Sequence, residues 1–70
     1  MNWNYRIIKN PNFYGIYEVF YNEQGEPVSC TENPIEIQGE SLKDCLHQYQ
    51  MMIEAFIHPP LDIEEISGKI

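Results

Sequence analysis

Apolar and polar residues alternate along the first segment, Trp3-Asn4-Tyr5-Arg6-Ile7-Ile8-Lys9, with Trp3, Tyr5 and Ile7 on one side of an extended chain. Asn10-Pro11-Asn12 breaks the pattern, which predicts a first strand ending near Lys9. Phe13 to Tyr21 is rich in aromatic and β-branched residues and predicts a second strand. Asn22-Glu23-Gln24-Gly25 follows as a hairpin loop, with Gly25 suited to a positive φ. A third strand is predicted from Pro27 through Val28-Ser29-Cys30-Thr31. Asn33-Pro34 interrupts it before Ile35 and Ile37 resume the alternation, so a bend or bulge is expected there.

The period then changes from two to between three and four. Leu42, Cys45, Leu46, Tyr49, Met52, Ile53 and Phe56 form one apolar stripe at helical spacing, with Lys43, Asp44, His47, Gln50 and Glu54 opposite. Ser41, followed by Asp44, predicts a capped helix start at about residue 42. Pro59-Pro60 removes backbone donors and forces His58 out of helical geometry, which ends the helix. The predicted architecture is α+β: a three-stranded antiparallel sheet followed by one amphipathic helix packed on one sheet face, as a single domain over 1–70. Residues 58–70 are expected to form an irregular or loosely packed C-terminal tail.

Strand two complicates this scheme. Tyr17, Val19 and Tyr21 lie on one of its faces and Tyr14, Ile16 and Phe20 on the other, yet one helix covers only one face. Pairing with a second copy through the sheet is the expected solution. The alternative is that Leu61, Ile63 and Ile66, spaced two and three apart, fold back over the open face. Met51 falls in the middle of the polar helix face, where a lone apolar residue is common.

Seventy residues make room for one small core, near the lower limit of independent stability. The formal net charge of −7, from eleven acidic and four basic residues, argues against direct nucleic-acid binding and against docking on an anionic membrane. A basic protein partner fits the charge better. No stretch has the apolar length of a membrane span, and the N-terminal residues lack the pattern of a secretory signal, so a cytoplasmic location is expected.

Chemistry-bearing residues are sparse. Cys30, Cys45, His47 and His58 contain no C-x-x-C pair, and Cys45 and His47, two apart on a helix, face different directions. Neither a metal site nor a cofactor is expected. Cys45, within the apolar stripe of an acidic chain, lacks the electropositive surroundings that activate a thiol. Glu36, Glu40, Asp62, Glu64 and Glu65 fall in predicted loop, helix entry and tail, where carboxylates are ordinarily just solvated. The glycines are isolated, so no phosphate loop can be assembled, and no catalytic residue is assigned.

With three strands and then a helix opened by Gly39-Glu40-Ser41-Leu42-Lys43-Asp44, the chain resembles the HicB-like antitoxin domain over roughly residues 5–57. Trp3-Asn4-Tyr5-Arg6, Tyr14-Gly15-Ile16-Tyr17-Glu18-Val19 and Thr31-Glu32-Asn33-Pro34 are similar to segments of small uncharacterised bacterial proteins. The first resemblance implies an antitoxin-like protein-binding role. The stretch after the helix is too short for the helix-turn-helix or ribbon-helix-helix of an autorepressing antitoxin, so DNA reading by this chain is not expected. The resulting expectation is a non-enzymatic protein-binding module acting through an acidic surface and self-association. Alternatives are a phage-type inhibitor whose carboxylates imitate nucleic-acid phosphates and, less compatible with the missing motifs, a small hydrolase or metal enzyme.

Overall fold

The structure is a computed structural model that describes residues 2–66 and, for residues 68 and 69, the backbone alone. Strands β1 (Asn2–Lys9) and β2 (Tyr14–Tyr21) pair antiparallel over their whole length, with Ile7 opposite Ile16 and Asn4 opposite Val19. The Asn22 side chain organises the next turn. Its Oδ1 accepts from the Gln24 and Glu26 N–H groups at 3.0 and 2.9 Å, while Gly25 takes the positive φ of 79° that the turn requires. Strand β3 (Pro27–Cys30) returns alongside β2, with a register shift at Phe20/Tyr21.

Beyond β3 the chain still follows β2 loosely. Thr31 N–H donates to the Glu18 carbonyl and Ile35 N–H to the Ile16 carbonyl, with Asn33-Pro34 between them. The interruption expected at Asn33-Pro34 is thus present. Strand β3 itself ends earlier, at Cys30, and Pro34 supplies no ladder donor between the two bonds. Helix α1 (Leu42–Met52) begins where Ser41 Oγ accepts from the Asp44 N–H at 3.1 Å, and it tightens into a 3-10 helix over Ile53–Ile57.

The expected fold is right in class and too simple in detail. The sheet is mixed, not purely antiparallel, and adds two short strands in the order β4-β1-β2-β3-β5. Strand β4 (Leu61–Asp62) pairs parallel with β1, and β5 (Gly68–Lys69) pairs parallel with β3. Two-residue strands leave no alternation in a sequence, so no pattern announced them.

Of the stretch 58–70, expected to be irregular and loosely packed, residues 58–66 form a strap across the sheet, and residues 67 and 70 lie outside the described residues. Between β4 and β5 the strap makes a 3-10 turn (Ile63–Glu65), closed by Asp62 accepting from the Glu64 N–H and Glu65 accepting from the Asp62 N–H. Ile66 then enters a core with Ile8, Tyr17, Val19 and Cys30, and Leu61, Ile63 and Tyr21 pack around it. The fold-back of Leu61, Ile63 and Ile66 is therefore what covers this face.

Arg6 holds the strap where it rounds the β1 edge, donating to the Pro59 carbonyl at 2.8 Å and to the Tyr21 hydroxyl at 3.1 Å. The Tyr21 hydroxyl donates in turn to Asn4 Oδ1 at 2.7 Å. The cost of this latch is a buried Arg6 Nε without an acceptor.

On the opposite face a second core joins Tyr5, Met52 and Ala55, with Ile7, Ile16 and Ile35 against them. Trp3 meets Tyr5 edge-on, with ring centroids 5.2 Å apart. Burial pushes the Tyr5 phenol above its ordinary pKa, and the Glu18 and Glu54 carboxylates push it further. A phenol raised in the folded state stabilises fully below its unfolded value of about 10 and loses that contribution as pH climbs through the folded value. Urea titrations of wild type and Tyr5→Phe across the alkaline range should show stability falling less steeply with pH in the variant. Equal slopes would place the phenol in water.

Candidate protein-binding surface

The helix does not lie as its pattern predicts. Of the seven-residue stripe only Met52 is buried and Cys45 half-buried, whereas Leu42 is 90% exposed and Leu46, Tyr49, Ile53 and Phe56 are about half exposed or more. The side turned toward the rest of the chain is instead Cys45, Gln48, Met52 and Ala55, about a quarter-turn away. The expected packing of the stripe on the sheet is thereby corrected, and the cause lies in the connection before the helix.

Residues 36–39, themselves exposed, run along the N-terminal half of the helix on its Asp44 and Gln48 side. The Gln48 carboxamide donates to the Glu36 carbonyl and accepts from the Gln38 N–H, both at 3.2 Å. At Gly39 the approach is closer still, since an added Cβ would lie 2.6 Å from Asp44 Cβ and 3.2 Å from the Cys45 nitrogen. Only a residue without a side chain fits, which gives this glycine a packing reason within the helix-entry motif. Gly39→Ala should cost about 1–3 kcal/mol by forcing the first helical turn away from the connection, as measured by urea denaturation. An unchanged midpoint would mean that the contact is loose.

Two apolar faces thus share one helix, and the chain uses only one. The unused face continues past Phe56 to Ile57, 76% exposed. It adjoins an apolar groove of about 780 Å³ whose walls include Ile7, Ile16, Ile35, Ile37, Met52 and Phe56. Scattered single exposed apolar residues are ordinary, whereas here they form a contiguous stripe with a groove at its end. The stripe residues were legible in the sequence. Their role was not, although Leu42, Leu46, Tyr49, Ile53 and Phe56 follow a strict four-three-four-three spacing, the repeat of a helix seam facing another helix.

The residues singled out for chemistry do not converge. Cys30 is fully buried in the core behind the sheet, Cys45 is half-buried at the helix, and His47 and His58 are exposed. Among the described residues no group of three or more His, Cys, Asp or Glu side chains could hold a metal ion. Glu36 and Glu40 are exposed in the connection, while Asp62, Glu64 and Glu65 belong to the strap's turn, which Asp62 and Glu65 cap. Met51 is 45% exposed and lies across the helix from the seam.

The acidic surplus is placed unevenly. Glu32, Glu36, Glu40 and Asp44 recur every four residues through the exposed connection into the first helical turn. Of the four basic residues, Arg6 is engaged by the strap. No helix among the described residues is long and apolar enough to cross a membrane. Compared with known proteins, the chain matches no family model, no curated protein and no solved structure.

Proposed function

We propose that the chain is a non-enzymatic protein-binding module, antitoxin-like in the sense that it masks a basic partner protein in the cytoplasm. The reading is carried by the surface rather than by any site: Glu32, Glu36, Glu40 and Asp44 form a row along the chain, all exposed, through the connection and into the first helical turn. Charge of this sign draws a basic surface in by long-range attraction, and the exposed carboxylates then pair with it.

The experiment is affinity purification from the native host with wild type and with a Glu32→Gln, Glu36→Gln, Glu40→Gln triple variant, read by mass spectrometry. A basic protein should be enriched by wild type, depleted by the variant and released as salt rises. Recovery of the same proteins by both, without salt dependence, would refute the role of the acidic row.

A further inference from the structure

We infer that the uncovered helix face is a homodimer interface, in which two copies pair antiparallel about a two-fold axis close to Tyr49. The inference goes beyond the proposed masking of a basic partner and does not depend on it. Four observations select a second copy as the occupant.

The first is self-complementarity. In an antiparallel pair centred on Tyr49, Leu42 of one copy falls beside Phe56 of the other, and Leu46 falls beside the other's Ile53. Leu42, 90% exposed, is the most protruding apolar side chain of the seam, and Phe56 stands at the mouth of the 780 Å³ groove. A knob at one end of the helix and a hole at the other are what a two-fold axis brings together, twice per dimer.

The second is charge. The seam carries no ionised side chain, and Glu36 is the one acidic residue among the groove's walls.

The third is area. At ordinary residue sizes the exposed parts of Leu42, Leu46, Tyr49, Ile53, Phe56 and Ile57 offer roughly 800 Å² per copy, which is what each partner contributes to a standard specific interface. The fourth is cover: the helix end packs on one sheet face and the strap on the other, while the helix seam receives none from the chain itself.

Sedimentation equilibrium of the full chain tests this. Wild type should show twice the monomer mass at tens of micromolar. Leu46→Glu should weaken association at least a hundredfold while leaving the circular dichroism spectrum unchanged, because its side chain is exposed. In a Cys45→Ala background, Tyr49→Cys should form a disulfide-linked dimer under mild oxidation and Leu42→Cys should not. Raising salt should tighten the dimer by screening like net charges, whereas it loosens any basic partner, so the two proposals fail separately. A monomer at several hundred micromolar, a dimer indifferent to Leu46→Glu, or efficient crosslinking through Leu42→Cys would overturn the inference.

Discussion

Ile66→Asp is expected to abolish folding at neutral pH, and Ile66→Ala to cost about 2–4 kcal/mol. Ile66 is 7% exposed and lies on Ile8 and Val19, both fully buried, with Tyr17 and Cys30 completing the cluster. A carboxylate placed there meets only apolar neighbours and loses its hydration, a cost of several kcal/mol against a total stability that is small in a chain of this size. The same burial would raise the carboxyl's folded pKa, so the variant should be least stable where the group must ionise and should regain structure as pH falls toward the unfolded value of about 4. Circular dichroism and urea denaturation between pH 4 and 7 give the result. If Ile66→Asp unfolds at the wild-type urea concentration, the strap does not close the core.

That strap also shows where sequence reading ran out. The apolar content of β2 on both faces was visible, and with it the need for two covers. Which element supplied the second cover was not. Leu61, Ile63 and Ile66 carry too short a pattern to separate a fold-back from a surface tail, and the capping pair Asp62 and Glu65 reads equally well as solvated charge until the turn is seen. The long alternating strands, the Gly25 hairpin and the Ser41 helix start were legible because each rests on local chemistry. What the helix faces is decided elsewhere, by a connection that the Asn33-Pro34 break releases from the sheet and that Gly39 lets approach the helix.

The radius of gyration carries the same message. At 12.4 Å it exceeds the roughly 11 Å expected of a compact chain of this length, as a helix docked mainly by its C-terminal end requires. A periodic apolar stripe predicts a covered helix face, yet most of this one is exposed within the chain. The pattern alone does not separate the residues that the chain buries from those that it leaves exposed.

Met52 and Leu46 make that distinction measurable. Both belong to the stripe, six residues apart, and a reading in which the stripe packs on the sheet assigns them similar worth. In the structure Met52 is 3% exposed among Tyr5, Ala55, Ile7 and Ile16, whereas Leu46 is 56% exposed. Met52→Ala should therefore cost about 2–4 kcal/mol, from lost transfer energy and from a cavity that the flanking β1 and β2 side chains cannot fill without leaving their strands. Leu46→Ala should change the stability of the monomer by no more than about 0.5 kcal/mol, since it deletes surface already in contact with water. The comparison belongs at submicromolar protein, where self-association contributes least, because any dimer adds a concentration-dependent term to the wild type and not to the variant. Urea midpoints that fall equally for the two substitutions under those conditions would mean that the helix turns its predicted stripe to the sheet after all, and the exposed seam would be core.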